Sequence, residues 1–364
     1  MRAAARNQAR AGSRGFCRKM DVRMKTFEPH PLLRNPHAQT LVSSFLPRRF
    51  PRLPRSVSRD FEVEPGTRIR GACHWQAAPR ERPTLVLVHG LEGSSESGYM
   101  LGLAERAFVA GWNAVRLNQR NCGGTESLTP TLYNSGLSGD YRAVLTELIE
   151  RDSLPEIFFV GYSMGGNLVL KMAGELAGQA PRQFHGLAAV CPCVDLGLCA
   201  DAVGLPRNFI YQEHFVRNLK QRMRRKAKLF PGKFDLSPMA SVRTLREFDD
   251  KITAKYCGFR DATDYYARSS ALRVAAEIQV STLIVTSQDD PFVPFASFSD
   301  PALANNPHIR LIAPERGGHC AFISRYAGDA RFWAEACVME SFADHDSRSA
   351  SPIYSDGTNS NTLD

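Results

Sequence analysis

Ile157-Phe158-Phe159-Val160-Gly161-Tyr162-Ser163-Met164-Gly165-Gly166-Asn167-Leu168-Val169-Leu170-Lys171-Met172-Ala173 is the stretch of sequence that decides the fold. Ile157 to Val160 are consecutive β-formers and read as a buried strand. From Gly166 onward, strong helix formers carry apolar residues at helical spacing. Between the two stands a G-x-S-x-G pentapeptide, Gly161 to Gly165. A turn that tight from strand to helix needs glycine beside the serine. It leaves the hydroxyl exposed at the strand's end, the arrangement of a nucleophile elbow. A loop with two glycines and a bystander serine would lack the flanking strand and helix. The segment therefore predicts Ser163 as an activated nucleophile.

An elbow serine needs a base and an acid, and on this kind of turn they follow in the order serine, acid, histidine. Ser281 to Thr286 reads as another buried strand and runs into Ser287-Gln288-Asp289-Asp290-Pro291-Phe292-Val293-Pro294. Ile309 to Ile312 is a further strand, followed by Arg316-Gly317-Gly318-His319. The two glycines let that loop bend and carry the imidazole over the serine. Order in the chain does not choose between Asp289 and Asp290. Upstream, the strand Thr84 to Val88 ends in His89-Gly90-Leu91-Glu92-Gly93. A glycine-rich turn there aims the Leu91 N–H at a developing oxyanion, with the Met164 N–H as its partner. His89, directly after the strand, reads as a structural histidine bonded to loop backbone.

Other segments carry a more specific signal: Pro31-Leu32-Leu33-Arg34-Asn35-Pro36-His37-Ala38-Gln39-Thr40, Asn118-Gln119-Arg120-Asn121-Cys122-Gly123-Gly124, Arg246-Glu247-Phe248-Asp249-Asp250 and Asp289-Asp290-Pro291-Phe292. With them the chain resembles the YheT-type putative esterases of the α/β-hydrolase superfamily, related to abhydrolase domain-containing proteins 1 and 3. The resemblance covers roughly residues 25–340. It implies the α/β-hydrolase fold and the triad Ser163, Asp290 and His319. The superfamily's acid loop, Gly-x-x-Asp-x-x-Val-Pro, fits only with Asp290 as the acid and Ser287 in the glycine position. The implied activity is hydrolysis of carboxylic esters through an acyl-serine, with no metal and no organic cofactor. Small-molecule esters with short- to medium-chain acyl groups are candidate substrates, as are glycerolipids or phospholipids. Three alternatives share the scaffold: an acyltransferase using the same triad, a haloperoxidase-like or C–C-bond hydrolase, and a non-catalytic binding protein.

Strands expected at 84–88, 112–117, 157–161, 186–191, 281–286 and 309–312 alternate with helical patterns at 98–110, 136–151 and 166–178. This predicts a mostly parallel sheet covered by helices on both faces. A hairpin of Arg59 to Glu64 and Arg68 to Trp75, turning at Pro65-Gly66, precedes it. The domain is expected over 25–340, with a helical cap inserted at about 197–275, before the acid-bearing strand. Within the cap, Asn208 to Phe230 is amphipathic. Phe209, Ile210, Phe215, Val216, Leu219, Met223 and Leu229 lie on or near one side, and Arg217, Lys220, Arg222, Arg224, Arg225, Lys226 and Lys228 on the other. The favoured reading sets the apolar side on the core and the charges in solvent; the rival is peripheral contact with an anionic lipid surface. Arg120 is expected to tie loops together rather than hold a substrate anion. Cys122 lacks an elbow, and Pro36-His37 is expected to pack across the cap or the active-site rim.

The net charge of +9 owes much to the first residues, where Arg2, Arg6, Arg10, Arg14, Arg18, Lys19 and Arg23 face a lone acid, Asp21. The charge is therefore weak evidence for nucleic-acid binding, and none is expected. Residues 1–24 lack the apolar run of a secretory signal. They read as a disordered basic tail, with an Arg-rich transit segment or a start at Met24 as alternatives. The polar stretch 341–364 is expected to be a disordered C-terminal tail. The nine cysteines lack the spacing of a disulfide framework and read as reduced thiols of a cytoplasmic protein. Cys191-Pro192-Cys193 has no second ligand pair and ends a strand, which argues against a metal site there.

Overall fold

The computed structural model of the chain describes residues 26–349. Its strands are β1 (Val57–Glu64), β2 (Thr67–His74), β3 (Thr84–Val88), β4 (Asn113–Leu117), β5 (Ile157–Tyr162), β6 (Phe184–Val190), β7 (Thr282–Val285) and β8 (Ile309–Ile312). They form one sheet in the order β1-β2-β4-β3-β5-β6-β7-β8. β2 pairs antiparallel with both β1 and β4. From β4 to β8 every pairing is parallel. The helices are α1 (Pro36–Phe45), α2 (Gly98–Val109), α3 (Ser138–Glu150), α4 (Met164–Leu176), α5 (Leu196–Val203), α6 (Phe209–Leu229), α7 (Leu245–Phe248), α8 (Ala254–Cys257), α9 (Ala262–Ser269), α10 (Pro301–Ala304) and α11 (Trp333–Ser349).

Successive strand residues point to opposite faces, so each parallel strand feeds two cores. Val86 and Val88 of β3 join Phe159 of β5 under α3 and α4. Leu85, Leu87, Phe158 and Val160 join the other core, under α2 and α11. Each of these fully buried side chains contributes about 1.5–3 kcal/mol. Helix α4 is buried all along Met164–Gly174, as a helix lying between a sheet and other helices must be. The expected sheet covered on both faces is thus present, and its strand positions agree with the sequence to within a few residues.

The cap rises between β6 and β7. Helices α5 to α9 build it, with their own apolar cluster around Val216, Leu219, Met223, Phe234, Phe248 and Ile252. The structure corrects the expected insertion of about 197–275 at its far end. Residues Ala271–Glu277 form a 3-10 helix whose Ala271 and Ala275 are buried in the core with α4. It also corrects the expected tail of 341–364, because α11 continues to Ser349 and buries Phe342 against Trp112 and Phe158. The rest of that stretch and the basic segment 1–24 lie outside the described residues. Among the described residues, no helix is long and apolar enough to cross a membrane.

Helix α6 departs from its simple amphipathic reading. Arg222 and Lys226, expected in solvent, are buried, whereas Phe209, Ile210 and Leu229, expected on the core, are exposed. Long-range partners are the reason. Lys226 donates to Asn121 Oδ1 (2.5 Å) and to the Glu126 and Thr129 carbonyls, and Arg222 pairs with Glu92 at 3.0 Å. Two cations thus pin the cap to loops of the sheet.

Candidate active site

The elbow forms where β5 meets α4. Ser163 sits at φ +54°, ψ −118°, a strained conformation for a residue with a side chain. Space at the turn explains the glycines. A Cβ on Gly161 would lie 2.2 Å from the Gly165 carbonyl oxygen, and one on Gly165 would lie 2.4 Å from the oxygens of Val88 and His89. Only glycine lets β3, β5 and α4 approach so closely. The strain is held by the surrounding packing, which fixes the serine at the carboxyl edge of the sheet.

The loops after β7 and β8 meet it there. Ser163 Oγ lies 2.9 Å from His319 Nε2, and His319 Nδ1 lies 2.8 Å from Asp290 Oδ2. The second oxygen of Asp290 accepts the N–H groups of Phe292 (2.8 Å) and Val293 (3.1 Å). Its side chain is fully buried, and that of His319 is 12% exposed. Asp289 serves differently: its carboxylate accepts the Gly318 N–H at 3.0 Å and braces the histidine loop. The structure therefore brings Ser163, Asp290 and His319 together in one hydrogen-bonded chain, with Asp289 beside it.

Electrostatics suit a base at His319. Burial alone would lower its pKa, but the Asp290 carboxylate, with Cys320 beside it, outweighs burial and holds the imidazole well above its usual 6.5. His89 shows the opposite balance, because desolvation brings it down to about 4. Its Nδ1–H donates to the Gly90 carbonyl (2.7 Å) and its Nε2 accepts the Gln119 N–H (3.1 Å). It shapes the loop that carries Leu91, as a structural histidine. Gly90 packs against Ser163, and Met164 opens α4, where first-turn N–H groups have no partner within the helix. Leu91 and Met164 thus both border the serine.

The Asn-Pro-His-x-Gln-Thr segment turns out to brace the histidine loop. Asn35 caps α1 by accepting the N–H groups of His37 and Ala38. Gln39 exchanges two hydrogen bonds of 3.0 Å with the backbone of Ile323, and Thr40 Oγ1 accepts the His319 N–H at 2.9 Å. His37 stacks on Tyr211 of the cap, Tyr211 meets Phe292 edge-on, and Phe292 meets His319 edge-on at 4.7 Å. Gln39, Thr40 and Phe292 were not expected at the site; the signal was in the sequence, as polar residues on a helix face and an aromatic two positions after the acid. Arg120 is not at the site. It is buried on the Asp140 and Glu64 carboxylates. Cys122 is also buried and accepts a bond from Arg222.

One cavity opens on the serine, and a second lies beside its neighbours Leu91 and Met164. A groove of about 600 Å³ contains Ser163 and His319 and is walled by α1, the start of α6 and Phe292. A narrower pocket of about 40 Å³ lies under the cap, lined by Leu91, Met164, Leu132, Leu219, Met223 and Phe248 among others. Ser163 and His319 both border the groove and not the pocket.

Residues 83–326 match the model of the alpha/beta hydrolase fold family. The chain is 33% identical over 268 residues to the putative esterase YheT of Escherichia coli, covering 72% of this chain and 77% of that protein. It is 26% identical over 243 residues to the mouse phospholipase ABHD3, covering 66% and 59%. To the medium-chain fatty acid ethyl ester synthase/esterase 2 of Saccharomyces cerevisiae it is 26% identical over 291 residues, covering 72% and 62%. Among solved structures, the esterase Pf2001 of Pyrococcus furiosus superposes with a TM-score of 0.55 at 14% identity, over 88% of this chain and 98% of that one. At that identity the likeness concerns the fold. The chain belongs to the α/β-hydrolase family. Within it, the chain is an esterase-like member, related to YheT and the abhydrolase domain-containing proteins.

Proposed function

We propose that the protein is a serine hydrolase that cleaves carboxylic esters through an acyl-enzyme on Ser163. The observation that carries the reading is the chain of hydrogen bonds from Asp290 through His319 to Ser163, at 2.8 and 2.9 Å. In this account His319 Nε2 takes the serine proton as Oγ bonds to the ester carbonyl carbon. Asp290 holds the proton on Nδ1 and stabilises the imidazolium. The N–H groups of Leu91 and Met164 receive the oxyanion. Collapse of the intermediate returns the His319 proton to the leaving alcohol. Water, activated by the same histidine, then releases the acid.

The proton must reach the leaving oxygen from His319, so the alcohol lies on the His319 side, in the large groove. That leaves the narrow apolar pocket beside Leu91 and Met164 for the acyl group. The small size of that pocket supports a short acyl chain on a bulky alcohol, such as a short-chain glycerolipid or phospholipid. Relatives described as an esterase, a phospholipase and an ester synthase/esterase support this substrate range. The eight described cysteines are all free thiols, which supports placement in the reducing cytoplasm. The test is hydrolysis of p-nitrophenyl esters of graded acyl length. The reading expects kcat/KM to peak at short acyl chains, and Met223→Ala to move the peak to longer ones. A profile flat in chain length and indifferent to Met223→Ala would contradict the acyl assignment. Acyl transfer to added alcohols, outrunning hydrolysis, would recast the enzyme as an acyltransferase.

A further inference from the structure

Cys191 and Cys193 part company on leaving β6. Cys193 Sγ lies 3.6 Å from Ser163 Oγ, whereas Cys191 turns toward the histidine loop. There it meets Cys320: both sulfurs and a ring nitrogen of His319 lie within 4.8 Å of one another. The backbone holds them under strain, with Cys191 at φ +46° and Cys320 at φ +56°. The Cys320 N–H points at Cys191 Sγ at 3.2 Å, a donor suited to a thiolate. Cys191 is fully buried, but Cys320 lines the large groove beside His319. A small ion arriving through the groove therefore has an open side to enter by.

We propose that Cys191, Cys320 and His319 form a binding site for a thiophilic dication of the zinc type. Two sulfurs and an imidazole nitrogen are the donors that zinc and cadmium prefer, and magnesium or calcium would take oxygen ligands instead. Water from the groove completes a tetrahedral set. Binding releases both thiol protons, and the extra proton of His319 where the imidazole is charged, and occupies the lone pair of one ring nitrogen. The consequence rests on the proposed function: a metal-bound His319 cannot take the Ser163 proton, so the site is an off-switch at the base itself.

Titration of the metal-free full chain with Cd2+, followed by the sulfur-to-cadmium charge-transfer absorbance, tests the site without needing any ester hydrolysis. The band should grow to a single equivalent in the wild type and equally in Ser163→Ala. Cys320→Ser should lose it, Cys191→Ala should do the same as a second variant, and Cys193→Ser should keep it. Circular dichroism checks that each variant is folded. Absence of a band at one equivalent, or a band undiminished in folded Cys320→Ser, would overturn the site. Zn2+ should displace Cd2+ and inhibit wild-type ester hydrolysis with the same midpoint, reversed by EDTA. Zinc binding without inhibition would overturn the off-switch while the metal site stood.

Discussion

The elbow and the cap helix α6 are both built from short, readable patterns, yet only one obeys its pattern. At the elbow most constraints are local: the strand, the glycines and the helix are chain neighbours, only the close approach of β3 to Gly165 comes from afar, and Ser163 takes the strained conformation they impose. Along α6 the partners are distant in sequence. Glu92 lies 130 positions from Arg222, and Asn121 lies 105 from Lys226. Those partners bury two cations that periodicity alone assigns to solvent, and leave Phe209 and Ile210 outside. Periodicity reports which side chains prefer burial. Which of them are buried depends on what the rest of the chain presents.

The comparison can be broken first at its chemical end. Asp290→Asn should lower turnover by ~10⁴-fold, because the histidine loses the group that fixes its tautomer. Its circular dichroism should stay that of a folded chain. A variant that kept near-normal turnover would show that Asp290 is not the acid. At the cap the effect should reverse in kind. Arg222→Met leaves the buried Glu92 carboxylate without its cation, and about 3–5 kcal/mol of stability should go with it. Pairing it with Glu92→Gln should restore much of that loss. If Arg222→Met unfolds like the wild type, the ion pair does not hold the cap.

Smaller effects sharpen the contrast. Asp289→Asn should cost about tenfold or less in turnover, the scale of one weakened hydrogen bond to the Gly318 N–H; equal large losses at both aspartates would mean that the pair acts as a unit. The base must be neutral to accept a proton, so kcat/KM should rise with pH along a limb above the ordinary imidazole value of 6.5. Removing the Asp290 charge takes away the larger of the two influences that oppose burial, Cys320 being the other, so Asp290→Asn should move that limb to lower pH. The same raised pKa stabilises the fold fully below the unfolded imidazole value, and this contribution is lost as pH rises through the folded one. Ile210→Ser, on an exposed position, should change stability by no more than about 0.5 kcal/mol. A loss several times larger would mean that the exposed start of α6 is packed in solution.

The sheet and the three-residue chain were legible in the sequence because each depends on a strand followed at once by a loop of specific chemistry. Choosing Asp290 over Asp289 needed the Val293-Pro294 frame, and the hydrogen bonds from His319 and Gly318 divide the two carboxylates accordingly. The end of the cap was misplaced because Ala271–Glu277 is short, and its burial on α4 is a tertiary fact. Thr40 stands in a distinctive motif whose role the sequence does not show. Its hydroxyl meets His319 only after 279 positions of chain have folded. The meeting of Cys191 with Cys320 is hidden for the same reason, since 129 positions of chain separate them.

Reaction of the full chain with a fluorophosphonate, read by intact mass and peptide mapping, tests the central claim most directly. The account predicts a single stoichiometric adduct on Ser163, lost in folded Ser163→Ala together with ester hydrolysis. No adduct under conditions where the chain is folded, or labelling and hydrolysis that survive in Ser163→Ala, would contradict it.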